Sequence, residues 1–584
     1  MLKIENLSYS FPEKDLYNKI SFTLEEGQHA AFIGTNGSGK STLIDMILND
    51  NENNDKYLFD GKLEVAPNCK VGYVSQFSHV DKDRDITVFE YIGEEFIKLQ
   101  NEITSICTEM ESGENIEVLL EKYQETLDLF SAIGGDNFED TINRNLNLAN
   151  LMSYKDLLVS GLSGGEFKLV QVIRGLLNSP DLIIMDEPDV FLDFENLNSL
   201  KALINSHKGT MLVITHNRYI LNNCFDKIIH LENMELQEFD GNYIDYNFSL
   251  LQTKIELQEL AAADTAEIER NDILIDRLRE IACENAEQFR GKTLRARVKV
   301  QERLVNRRIK APFVDIKEPN VTLITDNEIE EEIALKVNNY TVSFDELLLE
   351  KVKFEIKPTE KVAIVGANGT GKTTLLQEIF NNAHEAIELT EGVTMSYLSQ
   401  LHTKTLTDSN TVLAEFFEAG FETYEEIQEH LVEYGFNDEM LEQEIHSLSG
   451  GEKNMLQLAK MSVSNANMLL LDEPTSHLDT YSQMALEKAI KSYNGAVIMI
   501  SHDFYSIVNC MDSILIVEDK TIRRMNIKKF KKMIYDNHFD KNYLEFEKNK
   551  KAVEMQIQLA LKNGDFESAK LFSADLEEVI KDRI

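Results

Sequence analysis

Basic residues are scarce beside acids: 59 Lys and Arg stand against 101 Asp and Glu in 584 residues, a net charge of −42. That balance excludes indiscriminate attachment to nucleic acid or to an anionic membrane surface, so any such contact has to be local. Cysteines are also few. The five (Cys69, Cys107, Cys224, Cys283, Cys510) lie far apart without a CxxC pair, so reduced, mostly buried thiols are expected and not a disulfide framework or a zinc site. No run approaches the roughly 20 apolar residues that span a bilayer. The opening MLKIENLSYSF lacks a basic segment followed by an apolar one, and a cytoplasmic location is expected. What is present is core-forming material: 43% hydrophobic and 27% charged residues are the proportions of folded protein, and the length suits about three to four domains.

The chain contains much of itself twice. LKIENLSYSF (2–11) returns as LKVNNYTVSF (335–344), GTNGSGKS (34–41) as GANGTGKT (366–373), VSQ ending at Gln76 as LSQ ending at Gln400, and LSGGE (162–166) as LSGGE (448–452). IIMDEP (183–188) recurs as LLLDEP (469–474), and ITHN (214–217) as ISHD (500–503). From the serine of LSGGE to the glutamate of DEP is 24 residues in both copies, and from that glutamate to the next histidine is 29. Six elements in one order at equal spacing mark two domains of one kind. Between the glutamine and the LSGGE serine the copies differ, 87 residues against 49, so the first holds an added element of 38.

GxxxxGK[ST] calls for an apolar strand, a glycine-rich turn and a helix start, because backbone N–H groups can wrap a phosphate only where side chains are absent. AAFIG and VAIVG enter the two loops, and STLIDMIL and TTLLQEIF leave them with helical periodicity. The expected phosphate cradles are Gly34, Asn36, Gly37, Ser38, Gly39, Lys40, Ser41 and Thr42, and Gly366, Asn368, Gly369, Thr370, Gly371, Lys372, Thr373 and Thr374. Lys40 and Lys372 are expected to neutralise β/γ-phosphate charge, and Ser41 and Thr373 to ligate Mg²⁺. LIIMD and MLLLD are near-continuous apolar runs, as strands buried on both faces are, and each delivers an aspartate, Asp186 or Asp472, to the metal. Glu187 and Glu473 are placed to polarise the attacking water. Gln76 and Gln400 reach metal and water, and His216 and His502 the γ-phosphate. An isolated histidine or glutamine at a strand end is more often structural, and the repeated spacing reverses those odds.

LSGGE between a phosphate loop and a DEP strand resembles the signature of ATP-binding cassette proteins. Two cassettes in one chain, with the form DEPTSHLD (472–479), resemble the ABC-F family of translation factors over nearly the whole sequence. The resemblance implies an α/β architecture of two tandem ABC-type P-loop NTPase domains, packed head to tail so that nucleotide on one is capped by the signature of the other. One site would join Lys40, Gln76, Glu187 and His216 to Ser449, Gly450 and Gly451. The other would join Lys372, Gln400, Glu473 and His502 to Ser163, Gly164 and Gly165. Phe11 and Phe344 match the family's adenine-stacking aromatic, with core packing as the alternative. The domains are expected at 1–242, with a helical arm at about 93–132, then a helical linker at 243–330, a second cassette at 331–535 and a helical extension at 536–584. The first copy departs in DEPDVFLD (186–193), where Asp189, Val190 and Phe191 replace Thr475, Ser476 and His477, and in Asn217, which stands for Asp503. These departures are expected to perturb the first cassette's site, giving two sites of different rate with neither dead.

The added element reads as two helices, FIKLQNEITSICTEM and NIEVLLEKYQETLDLF, joined at ESGEN; the resemblance makes it the arm that meets the ribosome near the exit-site stalk. Residues 243–310, nearly free of Gly and Pro, read as two long antiparallel helices broken at Arg290, Gly291 and Lys292. In the family this linker inserts beside transfer RNA. Its segment 290–310 holds Arg290, Lys292, Arg295, Arg297, Lys299, Arg303, Arg307, Arg308 and Lys310 against Glu302 alone, a concentration that points to phosphate contact with RNA. Lys520 to Lys532 is a second basic run, and 541–581 reads as a C-terminal helical hairpin turning at Asn563, Gly564 and Asp565. The implied partners are ribosomal and transfer RNA, with no membrane and a monomer that is an internal pseudo-dimer. The expected function is ATP-dependent closure acting on the ribosome, to regulate translation or to protect it from antibiotics. The rivals are an energising subunit of a membrane transporter, disfavoured by the fused cassettes and charged linker, and a nucleic-acid maintenance ATPase, disfavoured by the absence of a cysteine cluster.

Overall fold

In the computed structural model the described residues are 1–11, 15–49, 57–67, 69–76, 82, 84–111, 116–177, 180–284, 319–327, 329–344, 347–400, 402, 405–538 and 543–581. The chain divides into two compact units, Met1–Asn242 with Glu318–Ile534, and Tyr243–Lys317 with Tyr535–Ile584.

The first unit holds both cassettes, each with a three-stranded antiparallel sheet and a six-stranded sheet. The large sheet of the first runs Val71–Val74, Leu182–Asp186, Thr210–Ile214, His29–Ile33, Lys227–Glu232, Glu235–Asp240. That of the second runs Met395–Leu398, Met468–Asp472, Ala496–Ile500, Lys361–Val365, Ser513–Glu518, Thr521–Asn526. All neighbours are parallel except the last pair of each, which confirms the tandem α/β P-loop architecture. Leu182–Asp186 and Met468–Asp472 are buried at every position, as strands covered on both faces must be.

Register brings the motifs together. Asp186 pairs with Ile214, which also pairs with Phe32 just before the first glycine-rich loop. Asp472, Ile500 and Ile364 align in the same way. The loop, the DE pair and the histidine that follows the next strand therefore emerge at the carboxyl end of three adjacent strands, where open parallel sheets bind ligands.

The added element of the first cassette forms helices Val88–Glu111 and Ile116–Ala132, bridged by Lys122 Nζ to Glu102 Oε1 at 3.1 Å. Residues 320–327 are laid along the second cassette: Asn320 N donates to Glu433 O at 2.7 Å, Asp326 N to Asn465 Oδ1 at 3.0 Å, and Asn494 Nδ2 to Thr325 O at 2.9 Å.

In the second unit, Tyr243–Glu284 is one helix of 42 residues. The expected returning helix, with Arg290, Lys292, Arg295, Arg297, Lys299 and Arg303, lies outside the described residues. Helices Tyr543–Lys562 and Phe566–Lys581 form the C-terminal hairpin, which turns at Gly564 with φ 71°. Asp565 Oδ1 caps the second of them by accepting from Ser568 N at 3.1 Å. Ala569, Ser573, Leu576 and Ile580 are its buried stripe, and Lys570 Nζ reaches Glu259 Oε2 on the long helix at 2.5 Å.

Candidate functional site

Lys40 and Lys372 are the first residues of helices Lys40–Asn49 and Lys372–Asn381. Each arches back over its own loop: Lys40 Nζ donates to Gly34 O and Thr35 O at 2.9 Å each, and Lys372 Nζ to Gly366 O at 2.8 Å and Ala367 O at 2.7 Å. Burial lowers the pKa of both ammonium groups, opposed by neighbouring carboxylates such as Asp479 and Glu187 around Lys40. Thr373 Oγ1 donates to Asp472 Oδ1 at 3.2 Å, and Ser41 likewise bonds Asp186, whose carboxyl burial and Glu187 push up to about 6. A hydroxyl beside a carboxylate, with a glutamine carbonyl from Gln76 or Gln400 for company, is an all-oxygen donor set suited to Mg²⁺.

The sites are composite. Asn36 N donates to Asp479 Oδ2 at 3.1 Å and Asn36 Nδ2 to His477 O at 2.8 Å, across the two cassettes. The mirror pair is Asn368 N to Asp193 Oδ2 at 3.3 Å and Asn368 Nδ2 to Phe191 O at 2.9 Å. Gly451 and Gly165 approach the same asparagines: a Cβ on Gly451 would fall 1.9 Å from Asn36 Nδ2, and one on Gly165 3.2 Å from Asn368 Nδ2. The signature serines start helices in both copies. Ser449 forms a capping box with Glu452, and Ser163 N donates to Glu166 Oε2 at 2.7 Å while Glu166 N returns to Ser163 Oγ at 3.3 Å. Each glycine-rich loop thus faces a helix N-terminus from the opposite cassette, an anion-binding arrangement from both sides. Around the second loop the gap is a cavity of about 560 Å³, lined by Gly164, Gly165 and Lys168 from one side and Gly369, Lys372 and Gln400 from the other.

Four non-glycine residues here hold left-handed backbone: Glu187 (φ 44°), Glu473 (φ 50°), Phe191 (φ 66°) and His477 (φ 60°). Strain of about 1–3 kcal/mol each, repeated at equivalent places in both copies, marks positions where the surroundings impose the conformation.

The two glutamates differ in their company. Glu187 Oε2 accepts from Gln76 Nε2 at 2.5 Å and lies 3.2 Å from His477 Nδ1. Burial raises this carboxyl, but the His477 hydrogen bond together with His216 and Lys40 outweighs it and holds the group down at about 2. Glu473 Oε2 accepts from His502 N at 3.3 Å, whereas its Oε1, 3.5 Å from His502 Nε2, has no hydrogen-bond partner among the described residues. Burial and the adjacent Asp472 push this group well above the carboxylate range. Burial lowers both His216 and His502, the second to about 3.

Of the departures in DEPDVFLD, Phe191 does not act where the sequence placed it. Because the cassettes cross, Phe191 faces Asn368 in the second cassette's site, and the first cassette's site receives His477. Asp189 stays in its own cassette, buried and pushed up to about 6, within electrostatic reach of Lys168, which donates to Ser75 O at 2.6 Å and Gln76 O at 3.0 Å. Asn454 and Thr475 occupy those two positions in the second cassette, so the acid and the base occur together in the first cassette only. Asn217 caps helix Arg218–Cys224 as Asp503 caps Phe504–Cys510, so that exchange keeps the cap. His477, Asp479, Asp193 and Lys168 were missing from the expected site; the first three sit at fixed distances after DEP, and only their cross-cassette partners were unreadable.

Phe11 and Phe344 are 44% and 70% exposed, which excludes core packing. Phe11 stands edge-on to Tyr9 (5.2 Å), which neighbours Tyr17 (6.3 Å), whose hydroxyl donates to Gly39 O at 2.6 Å. An aromatic row therefore leads from Phe11 to the first loop.

The ABC transporter family matches residues 17–190 and 349–476, just over half of the sequence. The chain belongs to that family. This twin-cassette ATP-binding protein is 28% identical over 532 residues to the "Uncharacterized ABC transporter ATP-binding protein YfmM" of Bacillus subtilis (strain 168), covering 86% of the chain and 96% of that relative. It is 29% identical over 544 residues to "ABC transporter F family member 5" of Arabidopsis thaliana, covering 89% and 75% respectively. Its relatives are thus ABC-F-type ATP-binding proteins. Among solved structures, the complex of archaeal ribosomal stalk protein aP1 and archaeal ribosome recycling factor aABCE1 matches with TM-score 0.52 at 17% identity, covering 91% of this ABC protein and 92% of that chain, a likeness of fold. No helix among the described residues is long and apolar enough to cross a membrane.

Proposed function

We propose that this ABC protein is a cytoplasmic, Mg²⁺-dependent ATPase whose two cassettes close on ATP and thereby act on the ribosome, in regulating translation or in protecting it from antibiotics. The observation that carries the reading is the reciprocal crossing of Asn36 with Asp479 and of Asn368 with Asp193, which makes each site complete only when the cassettes meet. The F-family relative and the ribosome recycling factor among the structural neighbours support the choice of partner. So does the basic linker in a chain of −42.

Lys40 and Lys372, with the loop amides, bind the β- and γ-phosphates, and the opposing signature residues Ser449, Gly451, Ser163 and Gly165 close over the γ-phosphate. Ser41, Asp186 and Gln76, and Thr373, Asp472 and Gln400, would hold Mg²⁺, which when bound supplies charge neutralisation across the two phosphates. Glu187 or Glu473 orients a water in line with the γ-phosphorus and takes its proton, and the bond from that phosphorus to the bridging oxygen breaks to leave ADP. His216 or His502 steadies the γ-phosphate.

The test is to express the Glu187→Gln, Glu473→Gln double variant, trap it with ATP and sediment the lysate through sucrose. Co-migration with ribosomes that is lost when ADP replaces ATP is expected. Absence of co-migration in the trapped state would sink the proposal.

A further inference from the structure

We infer that His477 is a positioning residue that acts in trans, holding the water-activating carboxylate of the first cassette's site, and that Phe191 in the corresponding place leaves the second cassette's site without this hold. The inference rests on the hydrolytic reading above and goes on to name the residue that makes the two sites unequal.

The two segments after DEP form an internal control. His477 and Phe191 each lie four residues beyond the glutamate of their own cassette. Both have left-handed backbone, φ 60° and 66°. Both give their carbonyl to the asparagine of the opposite loop, at 2.8 and 2.9 Å. Backbone path and cross-cassette bond are therefore the same, and only the side chain differs.

His477 uses its side chain. Its Nδ1 lies 3.2 Å from Glu187 Oε2 and 3.3 Å from Gln76 Nε2, which itself donates to the same carboxylate oxygen. With the proton on Nδ1, the imidazole N–H and the amide N–H converge on one oxygen and fix the plane of the carboxylate. The ring has little freedom: Phe191 packs against it edge to face, centroids 6.0 Å apart at 77°, and a Cβ on Gly450 would come within 3.0 Å of its Cγ. On the other side the phenyl group of Phe191 carries no donor. Glu473 keeps Oε1 without a hydrogen-bond partner among the described residues. Removing one orienting contact from a reacting group costs turnover more than substrate affinity when the contact is not to the substrate.

The experiment isolates the sites, using Glu473→Gln to leave the first active and Glu187→Gln to leave the second. In the first-site background, His477→Phe is expected to lower kcat about tenfold or more with KM for ATP within twofold, and His477→Asn, which keeps a side-chain N–H at that distance, to restore much of it. In the second-site background, Phe191→His is expected to raise kcat severalfold. Binding of a fluorescent ATP analogue and ATP-induced closure, read by energy transfer between dyes on the two cassettes, are expected to match the parent in every variant. Turnover at the first site indifferent to His477→Phe, loss of binding or closure in step with kcat, or no recovery with asparagine would each overturn the inference while leaving the hydrolytic reading in place. No turnover in the unmodified chain would overturn both.

Discussion

A single methyl group would be enough to part the cassettes at one of the two sites. A Cβ on Gly451 would lie 1.9 Å from Asn36 Nδ2 and 2.5 Å from the His477 carbonyl, and the second of these is backbone that cannot swing aside. At Gly165 the nearest atoms would be 3.0 Å away. Gly451→Ala is therefore expected to lower turnover at the first site about tenfold, and Gly165→Ala to have a smaller effect at the second. Steady-state ATPase assays in the single-site backgrounds would check this. Equal losses would mean that the loops do not approach as closely in the working state. Both glycines, with the lysines and the DE pairs, were legible in the sequence because each motif is local and its residue types are dictated by phosphate and metal chemistry. The Glu187 to His477 contact was not legible. It spans 290 residues, and which loop opposes which is decided by packing of whole cassettes. The sequence leaves Phe11 and Phe344 between stacking and packing for a related reason: an aromatic residue near a strand end reads the same whether its ring faces the core or solvent, and only exposure separates the two.

At the scale of elements, the sheets followed from short apolar runs and the loops from glycine, while some helix ends were decided by caps. The first arm helix starts at Val88, a turn ahead of the expected arm, because Thr87 and Glu90 form a reciprocal cap, with Thr87 N to Glu90 Oε2 at 2.8 Å and Glu90 N to Thr87 Oγ1 at 3.2 Å. That signal stood in the sequence as TVFE. The C-terminal hairpin was equally readable from Gly564, but its seat against the long helix was not, since a salt bridge such as Lys570 to Glu259 joins residues more than 300 apart. Leu576 is buried in this unit. Leu576→Ala is expected to cost the unit about 2–5 kcal/mol, the range for emptying a well-packed leucine site. Limited proteolysis should then cut the helix Tyr243–Glu284 faster while the cassettes resist as before. An unchanged cleavage rate would mean that the hairpin does not brace the helix.

Across the whole molecule, the cassettes are also joined by a buried charge cluster away from the phosphate loops. Arg218, 13% exposed, bonds Glu487 and, at 3.1 Å, Asp503, and lies over the Tyr505 ring at 4.9 Å. Ser506 Oγ and Asn509 Nδ2 donate to Glu487 at 3.0 and 2.8 Å. Arg218→Met would strand two carboxylates in the interface, at a cost of about 3–5 kcal/mol. Calorimetry is expected to record a lower melting temperature and a wider separation between the cassette transitions, partly recovered by adding Glu487→Gln. A melting curve that does not move would mean that water already reaches the cluster.

The cluster has a further meaning because it is not symmetrical. The residue that corresponds to Arg218 is Phe504, and those that correspond to Glu487 and Asp503 are Lys201 and Asn217. Cation and anions have been dealt to different halves. A second cassette meeting another second cassette, from a neighbouring chain or in a tandem copy, would bring four acids together around two phenylalanines with no arginine to receive them. The seam thus works as a keyed joint that favours a first cassette opposite a second over a pair of second cassettes.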